Sequence, residues 1–194
     1  MISVAPITLQ GRFVRLVPLT LEHVDALTAV GLDPAIWEWT PVRVRNREEM
    51  RAFVAEALEA QRGGTALPFA TVLASDGTII GSTRFMNIAP EHRRVEIGGT
   101  WIAPRWQRTR ANTEAKYLML THAFERWDCT RVEFKTHALN ATSRTAILRL
   151  GAVEEGILRN HMIHWDGTAR DTVYFSIVDA QWPAVKARLE TALA

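Results

Sequence analysis

The residues with the clearest chemical potential lie between Arg93 and Gly151. Arg105, Arg108 and Arg110 crowd a loop that leads from a strand ended by Pro104 into a helix expected to begin near Asn112-Thr113-Glu114. A helix N-terminus offers free backbone N–H groups and the positive end of its dipole, which suits a phosphate. Guanidinium groups beside it suit a polyphosphate. By itself this signal is weak, because 20 of the 23 basic residues are arginine and the bias reads as compositional. Asn140, three residues before Ser143, opens a second helix that Gly151 ends. His161 and His164 fall on opposite faces of an expected strand and make no metal pair. His137, just before Asn140, could reach a cleft there. Cys129 stands beside Asp128 without a base pattern and reads as inert.

The elements that must position these residues follow from periodicity and punctuation. Ile7–Leu19 reads as a first strand. Thr20 heads a helix through Leu21, Val24, Leu27 and Val30, ended by Gly31 and Pro34, and a Trp-rich loop with Trp37 and Trp39 follows. Asn46 and Glu49 form a capping-box pattern ahead of the stripe Met50, Phe53, Val54, Ala57, Leu58, closed by Gly63-Gly64. Strands 69–73 and 78–86 flank Ser75-Asp76-Gly77, a hairpin signal. In the strand 93–103, strict alternation sets Val95, Ile97, Gly99 and Trp101 on one face, and Glu96, Gly98, Thr100 and Ile102 on the other. A helix from about Thr113 to Trp127 comes next, then a strand over 131–138, the short helix after Asn140, strands 153–165 and 170–178, and a C-terminal helix. Hairpins mixed with crossover helices predict one mixed α/β sheet, mostly antiparallel, with helices on both faces.

Composition sets the outer bounds. With 194 residues, 47% of them hydrophobic, and a net charge of +2, the chain is expected to be one globular domain, its core about 9–178 and a C-terminal helix about 179–192. One cysteine allows no internal disulfide. The first residues lack the basic and apolar regions of a leader, and no apolar run spans a bilayer, so a cytoplasmic protein with no membrane partner is expected. The small net charge and the lack of a groove-reading motif argue against nucleic acid. No metal is expected, and a homodimer is left open.

The order of elements, with Val95-Glu96-Ile97-Gly98, Trp106-Gln107-x-x-x-x-Asn112-x-Glu114-Ala115, and Asn140-x-x-Ser143 leading to Leu150-Gly151-Ala152, resembles the GNAT superfamily of N-acetyltransferases. The resemblance is greatest to the branch that includes the ribosomal-protein N-terminal (Rim-type) acetyltransferases, and it runs from Leu9 to Ser176. It implies acetyl-CoA as co-substrate and a strand pair, 93–103 and 131–138, splayed around the pantetheine arm. It places Trp101, Ile102 and Ala103 beside that arm, Gln107, Arg108, Thr109, Arg110, Ala111 and Asn112 around the pyrophosphate, and Asn140 and Ser143 near the thioester. The family's loop carries two glycines where this chain has Arg110 and Asn112. Arg110 would then offer its guanidinium to the pyrophosphate, and Asn112 would tolerate left-handed geometry.

Acetyl transfer needs a deprotonated amine, stabilisation of the developing oxyanion and a proton for the leaving thiolate. The resemblance makes Glu96 the candidate base, through a water; its alternative is a structural carboxylate. Backbone N–H groups of Trp101–Ala103 would polarise the thioester carbonyl. Ile147 stands where many relatives have a tyrosine acid, so Ser143 becomes the candidate, against a hydroxyl that merely serves its helix. Trp37 and Trp39 would wall the acceptor cleft or simply pack. The resemblance implies a primary amine as acceptor, on a protein N-terminus or a small molecule such as an aminoglycoside or polyamine. A non-catalytic acyl-CoA-binding module is the alternative from another class.

Overall fold

Aspartate–glycine turns and proline stops divide the chain into eight strands of one sheet and six helices, in a computed structural model that describes residues 2–194. The expected first strand is two, β1 (Leu9–Gln10) and β2 (Val14–Pro18), because the chain turns at Gly11. A Cβ at Gly11 would sit 2.4 Å from a carboxylate oxygen of Glu114, so a glycine is needed where the helix side chain comes in. The helix after Thr20 begins as a 3₁₀ turn and becomes α1 (Val24–Gly31). The Trp-rich segment is not all loop: Asp33 caps the short helix α2 (Pro34–Trp37), with Pro34 in its first turn. Asn46 caps α3 (Arg47–Arg62) by accepting from the Glu49 N–H, while the Glu49 carboxylate takes the Arg45 N–H.

Strands β3 (Leu67–Leu73) and β4 (Ile79–Ala89) form the expected hairpin, with Asp76 accepting from the Thr78 N–H. β5 (Arg94–Ile102) returns beside β4 and leads to α4 (Arg110–Thr121), which continues into a π-helical turn over His122–Arg126. After β6 (Arg131–His137) come α5 (Ala141–Leu150), β7 (Val153–Ile163), β8 (Ala169–Val178) and α6 (Trp182–Leu193). The sheet order is β1-β2-β3-β4-β5-β6-β8-β7. Only β5 and β6 run parallel; every other pair is antiparallel.

The two faces bury separate cores. Helices α4, α5 and α6 close over Phe69, Phe85, Val95, Ile97, Val132 and Phe175. Helices α1, α2 and α3 cover Ala70, Val72 and Trp101 with Leu27, Trp37, Met50 and Phe53. This assignment corrects the strict alternation expected of β5. Val95, Ile97 and Ile102 share the first core, whereas Trp101 lies in the second. The cause is a bulge: Arg84 pairs with Gly98 and Ser82 with Trp101, so Thr83 alone opposes both Gly99 and Thr100. Gly99 takes φ of +56°, a left-handed conformation that glycine adopts freely. The extra residue reverses the facing of everything beyond it.

Candidate active site

β5 and β6 pair over three residues, Arg94 with Arg131, Val95 with Val132 and Glu96 with Glu133, and then part. Beyond Glu96 the edge of β5 towards β6 has no strand partner. The amides of a strand alternate between its two edges. Ala103 donates its N–H to Ile80 O at 2.8 Å, on the β4 side, so it is not free as expected. The alternation leaves the Ile102 N–H facing the open cleft. Gln107 Nε2 donates to Ile102 O at 3.0 Å and braces the end of the strand.

At one end of the cleft α4 begins earlier than its sequence suggests. Thr109 is the N-cap, accepting from the Ala111 N–H while its hydroxyl donates to Trp106 O. Arg110, Ala111 and Asn112 therefore form the first turn. Neither Arg110 nor Asn112 needs a left-handed backbone; the loop residue that adopts one is Arg108, at φ of +59°. A cavity of about 360 Å³ opens here, lined by Arg108, Arg110, Arg149 of α5 and Arg188 of α6. No carboxylate lines it. Arg110 also lies over the Phe13 ring, 5.3 Å from its centre. Four guanidinium groups around a helix N-terminus make this end strongly receptive to anions.

At the other end stands Glu96, 1% exposed, on the face of the sheet opposite α4. Asn87 donates to its Oε2 at 2.7 Å, and Lys135 Nζ lies 3.1 Å from the same oxygen. Neither bond involves Oε1. Arg170, 4% exposed, bonds only weakly to Trp39 O at 3.4 Å; burial holds its basicity down, partly offset by the charge of Glu96. His137 sits edge-on to Trp39, and burial with the nearby charges of Arg170 and His164 lowers its pKa. Trp39 thus stays at the cleft, half-buried, whereas Trp37 is core: 1% exposed, packed on Phe53 and Trp101, with its Nε1 bonded to Gly31 O. Asn140 caps α5 through the Ser143 N–H at 2.9 Å, which leaves the Ser143 hydroxyl unengaged by that contact.

The sequence profile of the acetyltransferase (GNAT) domain matches residues 14–153. The chain belongs to the GNAT acetyltransferase family. This GNAT chain is 32% identical over 114 residues to YdaF of Bacillus subtilis (strain 168), provisionally named a ribosomal N-acetyltransferase. That match takes in 59% of the chain and 61% of YdaF, so it spans about three-fifths of the relative's length. The crystal structure of a GCN5-related N-acetyltransferase from Brucella melitensis superposes with a TM-score of 0.91 at 32% identity, over 98% of this chain and 86% of that one. RimJ of Mycobacterium smegmatis, in complex with CoA-disulfide, superposes with a TM-score of 0.84 over 97% and 96% of the two chains. At 24% identity that likeness concerns the fold alone.

Several residues of this candidate site escape a linear reading. Arg149 and Arg188 reach the cavity from elements far along the chain. Lys135 and Asn87 meet Glu96 only when three strands assemble. Glu114 and Lys116, both on α4 and both 5% exposed, left one legible signal: they neighbour Ala115 and Met119 on a buried stripe where charge is out of place. Among the described residues, no group of three or more His, Cys, Asp or Glu could hold a metal ion, and no helix is long and apolar enough to cross a membrane.

Proposed function

We propose that this chain transfers the acetyl group of acetyl-CoA directly to a primary amine, with a protein N-terminus as acceptor. The observation that carries the reading is the parting of β5 from β6 immediately beyond Glu96. It gives one cleft with an anion-receptive arginine cavity at one end and a buried carboxylate at the other. The residues fit acetyl-CoA: Arg108, Arg110, Arg149, Arg188 and the first turn of α4 for its phosphates, and the open edge of β5 for its amide-bearing arm. The name of YdaF supports a protein acceptor, and the pKa values of ordinary amines favour an N-terminus. An α-amino group, at about 7.7–8.0, sheds its proton near neutral pH far more readily than a lysine amine at about 10.4.

Acetyl-CoA supplies a thioester carbonyl, whose C–S bond breaks as the new C–N bond forms. Glu96 receives the proton shed by the attacking amine, directly or through water, at the Oε1 that Asn87 and Lys135 leave free. The Ile102 N–H faces the charge that develops on the carbonyl oxygen. The Ser143 hydroxyl donates a hydrogen bond to the departing thiolate, which takes its proton from solvent. The test is a thiol-release assay with acetyl-CoA and peptides that carry a free or a blocked N-terminus, beside spermidine and an aminoglycoside. Release is expected with free N-termini, with the acetyl group found on the α-nitrogen by mass spectrometry. Equal release with and without every amine would leave a binding module without transfer.

A further inference from the structure

Lys116 is one of three lysines in the chain, and burial alone drives its amine down to about 7. It is 5% exposed, and its Nζ donates to Thr83 Oγ1 at 3.0 Å and Thr100 Oγ1 at 2.5 Å. The two hydroxyls are 2.7 Å apart, so the three groups close a triangle. No carboxylate completes it. Burying an amine without a counter-charge disfavours folding, and an apolar side chain of the same length would be better tolerated. Stability alone gives no reason for a lysine here.

The triangle sits on the bulge itself. Thr83 is the single residue on the β4 side, and Thr100 is one of the two that oppose it on β5. The bulge is what brings Glu96 and Trp101 to one face although they stand an odd number of positions apart. It lies on the stretch of β5 that has already parted from β6, three residues beyond Glu96. Lys116 belongs to α4, whose first turn lies at the arginine cavity less than two turns away. One side chain therefore joins the helix at the phosphate end of the cleft to the strand at its reacting end.

We propose that Lys116, with Thr83 and Thr100, is a positioning residue that locks the β5 bulge to α4 and so holds the open strand edge in register with Glu96. The inference rests on the acetyl-transfer reading only for its kinetic consequence. Three variants test it: Lys116→Met and Thr100→Val, which keep size and remove the polar contacts, and Thr100→Ser, which restores the hydroxyl. Lys116→Met and Thr100→Val are expected to lower kcat at least tenfold with the KM for acetyl-CoA within about threefold. Thr100→Ser should recover most of the rate, and Lys116→Met should melt no lower than the parent. Amide hydrogen exchange supplies a readout that needs no substrate. Exchange at Trp101 and Ala103, whose N–H groups face β4, should quicken at least tenfold in Lys116→Met while the amides of α4 stay protected. Parental exchange at the bulge in Lys116→Met overturns the proposal, whether or not the parent transfers acetyl groups. Parental kcat in an active Lys116→Met overturns it too. If the parent itself proves inactive with all amines, the acetyl-transfer reading falls, and the exchange result alone decides the role of Lys116.

Discussion

Lys135 Nζ lies 3.1 Å from Oε2 of Glu96, reaching across the cleft from a position two residues past the last rung that β5 and β6 share. The ammonium thereby occupies one carboxylate oxygen and leaves the other, beside Gly98, outside the pair. Asn87, held in a left-handed conformation at φ of +49°, takes the same oxygen from the far side. A carboxylate oriented so is suited to receive a proton on one oxygen only.

Glu96→Gln keeps this shape and removes the basic oxygen. Turnover is expected to fall roughly 10²–10⁴-fold at neutral pH. Acetyl-CoA affinity, measured by calorimetry, should stay within about threefold. Undiminished turnover would reduce Glu96 to a structural group of the sheet.

The four-arginine cavity should govern affinity for the cofactor. Arg110→Ala removes a charge-assisted contact worth roughly 1.5–3 kcal/mol, which at about 1.4 kcal/mol per decade weakens acetyl-CoA binding some 10- to 150-fold. Arg110→Gly should bring no gain, since position 110 is already helical and needs no glycine. Arg149→Ala and Arg188→Ala should weaken binding as well, and raised salt should weaken it further. Unchanged affinity in all three alanine variants would move the phosphates elsewhere.

Glu114 accepts the backbone N–H groups of Arg12, Phe13 and Val14 at 2.8, 2.6 and 2.7 Å. It pins the β1–β2 turn to α4. Glu114→Ala strands three donors at a largely buried place, at about 1–3 kcal/mol each if water cannot reach them. A total near 3 kcal/mol corresponds to a melting temperature lower by roughly 6–12 °C for a chain of this size. A drop under 2 °C in a melting scan, below even about 1 kcal/mol, would show that water replaces the carboxylate without penalty.

The Lys116 amine titrates near 7 when folded and near its ordinary 10.5 when unfolded. Between those values the unfolded chain binds the extra proton, so stability rises with pH from about 7 to about 10.5 and is lowest, for this group, below 7. Lys116→Met lacks the effect. Its stability advantage over the parent, measured by urea unfolding, should therefore be largest at pH 6 and shrink as pH rises towards 10. A constant difference across that range would contradict the buried, unpaired amine.

Cys129 is 2% exposed, and burial pushes its thiol up to about 11. Iodoacetamide at pH 8 should leave it unmodified in the folded protein and label it fully in denaturant. Labelling of the native chain at a free-thiol rate would mean that the segment after the π-helical turn opens readily.

By itself the sequence determined most of the elements and their order, though not the break at Gly11 or the helix α2. Asp76-Gly77, Pro104, Asn46 and Gly151 act within a few residues of themselves, so turns, caps and stops are legible in one dimension. The motifs around Glu96, Asn112–Ala115 and Ser143 likewise led to the GNAT family, because their order along the chain is itself the signal. What the tertiary structure alone decided is how strands meet. The bulge at Gly99–Thr100 depends on the register between β4 and β5, and it moved Trp101 to the second core against strict alternation. The start of α4 at Arg110 rather than near Asn112 turned on which of several polar residues captured the free N–H groups, a competition that Thr109 won through its contacts. The partners of Glu96 come from β4 and β6, and those of Lys116 from β4 and β5. Contacts between residues that far apart in sequence carry no local mark, since burial and pairing are set by packing across the whole sheet rather than by a neighbour's identity.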